Sequence, residues 1–291
     1  MDFSNSTTNL SQRCVAFADG ALSPGRLFIS LFFLATFLVG LVGNALVLGV
    51  AMTVNKDKRK VSVSNIYIFN LALADLLFAC TLPAFCWNSW TGDWPFGSIA
   101  CKAAKAFYET NRYSSVLLLI ALTIDRYLAT FPGPLDRFRS LYFGKIVCVV
   151  IWIICVVIAI PILIYAEARE VGGGMHQCVF GQLRTNFYLF ASWTSAQLVF
   201  GLIVPSVVMV TAYNRLLHRL HTMRGVRSDH FRRPNPFLTR TIVFAVVAFL
   251  ITNIPDNIGK LWTLIWAPVF VSPTICPSTA EVRFFLLFSH F

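Results

Sequence analysis

The residues of this chain that could do chemistry are few, and they sit in apolar surroundings. Asp75 lies in LALADLLFAC, Glu109 and Arg112 precede VLLLIALTI, Asp125-Arg126-Tyr127 closes that same stretch, and Asp256 follows Pro255 with Lys260 four residues on. A lone charge in hydrocarbon is expensive, so each of these groups must meet a counter-charge, a hydrogen-bonding group, water or a ligand. Asp256 and Lys260 have the i, i+4 spacing of a helical ion pair, whose members could instead receive the charged groups of a ligand. The implied chemistry is ion pairing and recognition of charge, not bond making. No Ser/His/Asp spacing, nucleophile elbow, phosphate loop or metal-ligand spacing is visible, and the five histidines form no ligand pattern. An enzyme is not expected.

These groups need elements that can hold them at depth. The chain has 291 residues, 57% of them hydrophobic and 13% charged, with a mean hydropathy of +0.69, which excludes an ordinary soluble domain. Apolar runs long enough to cross a bilayer lie at about 27–54, 64–88, 101–131, 145–165, 187–217 and 237–267. A seventh begins near Glu281 and reaches Phe291, about half a span. The net charge of +11 could suggest nucleic acid, but its distribution argues otherwise. Fifteen of the 24 Lys and Arg lie in, or at the span ends beside, the stretches joining spans one and two, three and four, and five and six, all in one compartment. By the positive-inside rule that compartment is cytoplasmic and the N-terminus is outside. The basic charge then reads as topology and contact with anionic lipid, and nucleic acid is not an expected partner. The first 25 residues have no apolar core for a cleavable signal, so span one is expected to serve as signal anchor. Asn5-Ser6-Thr7 and Asn9-Leu10-Ser11 are glycosylation sequons on the segment placed outside.

The stretch from Cys101 to Phe131 organises the rest. Tyr108, Glu109, Asn111, Arg112 and Ser115 interrupt its apolar run, so it is expected to be central and not lipid-facing all round. Asn111 and Ser115 are one helical turn apart, and with Asn44 and Asp75 they could form a polar cluster in the core. Asn44 by itself reads as a helix-to-helix hydrogen bond. In span two, Pro83 is expected to bend the helix, with Phe85 and Trp87 beyond it toward the outer mouth. Gly172-Gly173-Gly174 between spans four and five favours a mobile loop.

With these pieces in order, the chain resembles a class A (rhodopsin-like) G-protein-coupled receptor. The resemblance rests on Gly43-Asn44, Leu71-Ala72-Leu73-Ala74-Asp75, Asp125-Arg126-Tyr127, Trp152, Pro205 with Tyr213, and Phe249 with Pro255. Thr81-Leu82-Pro83, Trp94-Pro95-Phe96-Gly97, Tyr113-Ser114-Ser115-Val116-Leu117 and Ile242-Val243-Phe244-Ala245-Val246-Val247 make it similar to chemokine receptors of the CXC type, cellular or viral. The fold implied is an all-α seven-helix transmembrane bundle over 27–291, its last helix incomplete, behind an extracellular segment 1–26. The location implied is the plasma membrane.

The resemblance also implies roles. Cys101 and Cys178 match the family disulfide, and Cys14 and Cys276 the second bridge of chemokine receptors. Asp75, Asn111 and Ser115 match a sodium pocket, against which a hydrogen-bonded network with water stands as the equal alternative. No other cofactor is implied. Asp125, Arg126 and Tyr127, with Tyr213, are the positions that couple to a heterotrimeric G protein, and arrestin is a further implied partner. An extracellular peptide or chemokine would enter a pocket of Phe85, Trp87, Tyr108, Glu109, Arg112, Asp256, Lys260 and Glu281. Departures bear on this: Asn253 stands where the family has its aromatic switch, the Asn-Pro-x-x-Tyr motif is missing, and the first segment has no Tyr and only Asp2 and Asp19 as acids. A non-signalling decoy that binds chemokines is the alternative. A transporter or channel would also bury charges, but neither inverted repeats nor broken helices with paired glycines are found.

Overall fold

The computed structural model describes residues 24–56, 62–129, 138–172, 174–180, 187–223 and scattered positions between 244 and 265. Cys14, Cys276, Asn5, Asn9, Asp256, Glu281 and the seventh helix lie outside the described residues. In chain order the elements are α1 (Pro24–Lys56), α2 (Val63–Ala79), α3 (Leu82–Thr91), α4 (Gly97–Leu128), α5 (Leu141–Tyr165), β1 (Ala166–Gly172), β2 (Met175–Phe180), α6 (Phe187–Leu198), a π-helical turn (Val199–Ile203) and α7 (Val204–Met223). Among the described residues, four stretches are long and apolar enough to cross a membrane: Pro24–Thr53, Val63–Thr91, Leu141–Tyr165 and Ala191–Arg215. With its charges α4 is less apolar, yet its 32 residues are long enough for an oblique crossing. It packs against α2, α5, α7 and β1, the central position expected of it.

Local chemistry sets the element boundaries. Ser62 caps α2 by accepting from the Asn65 amide at 3.3 Å, and Ser140 caps α5 by accepting from that of Phe143 at 3.2 Å. Pro83 does not bend one continuous helix, as the sequence suggested. The helix ends at Ala79, Cys80 and Thr81 form a turn in which the Thr81 amide and hydroxyl both donate to the Phe78 carbonyl, and α3 restarts with Pro83 in its first turn. There the missing N–H of proline leaves no bond unmade. In span five the same chemistry acts mid-helix. Pro205 has no N–H for the carbonyl of Gly201, and the chain takes up the mismatch as the π turn Val199–Ile203.

Packing follows two apolar clusters strung along α4. One gathers Val63, Tyr67, Val116, Leu119, Ile151 and Met209; the other gathers Phe33, Leu82, Phe85, Trp94, Cys101 and Ile162. Glu109, Asn111, Arg112 and Ser115 lie between them along the helix. On the outside, Phe28, Val39, Val50, Val149, Ile153 and Val157 are exposed, as suits a surface whose solvent is lipid. Cys148 and Cys155 are buried small apolar residues as expected, whereas Cys80 is exposed at the α2–α3 turn.

The loop between α5 and α6 differs from its expectation. Its strands pair antiparallel, with Ala168 opposite Cys178, and the glycines fall at the hairpin end. The Cys101–Cys178 disulfide holds β2 to the start of α4. His176 donates to Asp93 Oδ1 at 2.7 Å, its carbonyl accepts from Trp94 N at 2.9 Å, and Ala168 N donates to Ser98 Oγ at 3.1 Å. Ties at four points outweigh the backbone freedom of the glycines, and the hairpin is fixed to the bundle.

Close helix contact has a specific site at Gly144, where a Cβ would stand 2.8 Å from Val63 Cγ1. Gly144→Ala should lower the melting temperature of the detergent-solubilised chain, consistent with an overpacking cost of about 1–3 kcal/mol. Combining it with Val63→Ala should recover most of the loss; a single substitution without effect would mean that α2 and α5 are not in contact there.

Candidate functional site

Three polar constellations occupy α4 at successive depths. Nearest the hairpin, Glu109 and Arg112 are paired at 3.2 Å, each side chain 9% exposed. The helix brings them together because positions i and i+3 share a face. Gln197 near the end of α6 donates to Glu109 Oε1 at 2.8 Å, while Arg112 donates to the Tyr113 hydroxyl at 3.0 Å and lies 4.9 Å from that ring's centroid. The π turn makes room for the guanidinium: a Cβ at Gly201 would stand 3.2 Å from Arg112 Nη2. Removing one member of a buried ion pair typically costs about 3–5 kcal/mol, so this site is built to keep both charges or to exchange one for a ligand's.

On another face of the same turn and reaching one turn beyond it, Asn111 Nδ2 donates to Asp75 Oδ1 at 2.6 Å and Ser115 Oγ donates to the same oxygen at 3.4 Å. All three residues named from the sequence thus meet. Asn44 does not join them: its amide donates to the Gly40 carbonyl of its own helix at 3.0 Å. Among the described residues the half-buried Asn44 amide is thus satisfied within its own helix, and the expected helix-to-helix bond is not found there. As for a cation, hard metal ions take oxygen ligands, and here Asn111 turns its nitrogen to the carboxylate. The described contacts are those of a hydrogen-bonded network, and a sodium ion would draw on the Asp75 carboxylate and the Ser115 hydroxyl oxygen.

At the far end Asp125 is nearly enclosed, 4% exposed. Ser64 Oγ donates to its Oδ2 at 2.6 Å, Arg139 Nε lies 3.3 Å from Oδ1 and Arg126 Nε lies 3.8 Å from Oδ2. Arg126 also donates to the Ser64 hydroxyl. The Asp-Arg pair is therefore enclosed in a four-membered network and is not two side chains snorkelling to water. Tyr127 and Tyr213 are half-buried.

Phe85 is buried between the rings of Phe33 and Trp94, at centroid distances of 6.2 and 6.0 Å, with Lys105 Nζ 5.9 Å from the Phe85 ring centroid. Trp87 is 51% exposed and lines an apolar groove with Phe33, Phe37, Leu82 and Trp90. Tyr108 packs edge-on against Phe78 at 5.8 Å. Lys260 and Asn253 are half-buried, and the carbonyl of Asn253 accepts from the buried Asn257 amide at 2.7 Å.

Ser64, Gln197 and Asn70 were not singled out from the sequence. Asn70 accepts from Trp152 Nε1 at 2.9 Å, giving that indole its partner. The available signal was the one that found Asp75: a polar residue inside an apolar span. Arg139 belongs to the basic stretch between spans three and four, where charge alone does not mark it as a partner of Asp125.

Comparison with known proteins agrees with this arrangement. The family described as 7 transmembrane receptor (rhodopsin family) matches residues 43–291. The chain is 33% identical over 233 residues to C-C chemokine receptor type 1 of Macaca fascicularis, covering 77% of this chain and 61% of that one. It is 31% identical over 239 residues to C-X-C chemokine receptor type 1 of Rattus norvegicus, covering 81% and 64%. Against the type-1 angiotensin II receptor of Meleagris gallopavo it is 32% identical over 227 residues, covering 76% and 61%. The chain thus spans about three fifths of the length of the curated relatives it matches. A match across most of the chain, together with a central helix that buries Glu109 and Asp125, makes this a multi-pass membrane protein that belongs to the rhodopsin family of seven-transmembrane receptors.

Proposed function

We propose that this chain is a cell-surface receptor, similar to chemokine receptors, that binds an extracellular peptide or chemokine and signals to heterotrimeric G proteins. The N-terminus is outside and the loops rich in Lys and Arg are cytoplasmic, where they meet anionic lipid and the transducer, with arrestin a further partner. The observation that carries the reading is the enclosure of Asp125 by Ser64, Arg126 and Arg139. Such a network ties α2, α4 and the segment before α5 into one arrangement and withholds the Arg126 guanidinium. A ligand that favours a second arrangement of the helices shifts the population toward it by its difference in affinity for the two. That second arrangement opens the network and offers Arg126 to a G protein.

On the ligand side, Glu109, Arg112 and Gln197 provide a buried acceptor and a buried cation close together, suited to a peptide that brings its own charges. Relatives named for chemokines and for angiotensin II support a ligand of this kind. Phe85, Trp87, Tyr108, Asp256, Lys260 and Glu281 complete the pocket. Asn253 in place of the aromatic switch favours the other reading, a decoy that binds ligand without signalling. The enclosed Asp125 favours the signalling one.

Asp125→Asn removes the charge that holds Arg126 and should raise basal guanine-nucleotide exchange about three- to ten-fold, on the scale of a 1 kcal/mol shift between two states. No exchange from either form, with ligand uptake intact, would establish the decoy. Glu109→Lys places two buried cations side by side and should lower surface expression, while the response to a chemokine panel per receptor at the surface should be abolished; an unchanged response per surface receptor would remove Glu109 from the pocket. Treatment with an N-glycosidase should increase the gel mobility of the wild type and not of Asn5→Gln/Asn9→Gln, and a wild type without glycan would count against an outside N-terminus.

A further inference from the structure

The segment that enters α5 reads Arg137-Phe138-Arg139-Ser140, and its serine has two properties that belong together. It is exposed, and it caps α5 through the Phe143 amide at 3.2 Å. A hydroxyl with arginines three and one positions before it is the charge pattern that a basophilic protein kinase selects. The same position tolerates the product. A phosphate at a helix N-terminus is favoured by the helix dipole and by the free amides of the first turn.

What makes the position consequential is its neighbour. Arg139 Nε lies 3.3 Å from Asp125 Oδ1, in a pair whose arginine side chain is 28% exposed and whose aspartate side chain is 4% exposed. A phosphodianion on the next residue offers that guanidinium a stronger, more accessible acceptor than a carboxylate that already accepts from Ser64. The geometry points to Ser140 as a phosphoryl acceptor for a basophilic serine/threonine kinase, its phosphate drawing Arg139 away from Asp125 and loosening the network around Arg126. In the transfer, the bond from the γ-phosphorus of ATP to the oxygen bridging to ADP breaks and the bond from Ser140 Oγ to that phosphorus forms. The hydroxyl proton passes to the kinase's base, and ADP leaves.

Ser62 has a related pattern, with Arg59 and Lys60 before it and an exposed N-cap position on α2. Ser64 is buried against Asp125 and offers no such access. Ser62 is therefore replaced by alanine throughout the test, so that any phosphate and any effect trace to Ser140.

The inference rests on the orientation proposed above, which puts Ser140 in the cytoplasm. The test uses the full chain in nanodiscs, where both faces are open, so that its failure says nothing of orientation, which the glycan experiment addresses separately. The Ser62→Ala chain is incubated with ATP and the catalytic subunit of cAMP-dependent protein kinase. Mass spectrometry should place phosphate on Ser140, absent in Ser140→Ala and at least about five-fold lower in Arg137→Ala. Hydrogen exchange in segments 62–66 and 122–128 should rise about three-fold on phosphorylation. Arg139→Gln should raise exchange equally without phosphate, and phosphorylation of that variant should add nothing. An unmodified Ser140 in protein that retains its Cys101–Cys178 disulfide would overturn the proposal, and so would a phosphorylated Ser140 with unchanged exchange in both segments.

Discussion

A charge at membrane depth has to be answered from within the protein, and the architecture here follows from that demand. One helix, α4, carries Glu109, Arg112, Asp125 and Arg126, and receives the Asp75 carboxylate from α2. Each of these needs a partner supplied by another element or by a neighbouring turn. Gln197 comes from α6, Ser64 from α2 and Arg139 from the approach to α5. A helix so engaged cannot sit at the rim of a bundle, and the contacts of α4 with α2, α5, α7 and β1 put it at the centre. Outward faces of α1 and α5, with no charges to answer, present Phe, Val and Ile to lipid.

Because the surrounding lipid is as apolar as leucine, burial of apolar surface does little to draw these helices together. Close approach and shape do more. Ala72 and Ala74 are buried along α2, Gly144 lets α5 lie against Val63, and Gly201 admits the Arg112 guanidinium to the wall of span five. The Pro205-induced π turn is part of the same accommodation, since it sets Gly201 where the arginine needs space. Backbone chemistry in one span thus makes the charge pair in another tolerable. At the hairpin end a disulfide and three hydrogen bonds close the assembly.

The vertical order of the polar groups matters for a receptor. Apolar clusters above and below are close-packed and resist gradual deformation, whereas hydrogen bonds and ion pairs between them can be traded for others of similar energy. Glu109 with Arg112, Asp75 with Asn111 and Asp125 with its three partners form a series along one helix, from the hairpin end to the basic loops. A change at the first is mechanically continuous with the last through α4 itself.

Much of this was legible in the residues alone. Hydropathy and the placement of Lys and Arg determine that the chain crosses a membrane repeatedly. Asp, Glu and Arg within apolar runs determine that span three is internal, and Asn111 with Ser115 on one face determines a site for Asp75. Such features depend only on local composition and helical period, which sequence records directly. Tertiary structure alone decided the partners: Ser64 and Arg139 for Asp125, Gln197 for Glu109 and Asn70 for Trp152. Serine, glutamine and asparagine are ordinary in any helix, and only the phase of one helix against another says which of them meets a charge. The same holds for the phase of α3, because a turn at Cys80 and Thr81 sets it by an amount that a proline in the sequence announces but does not measure.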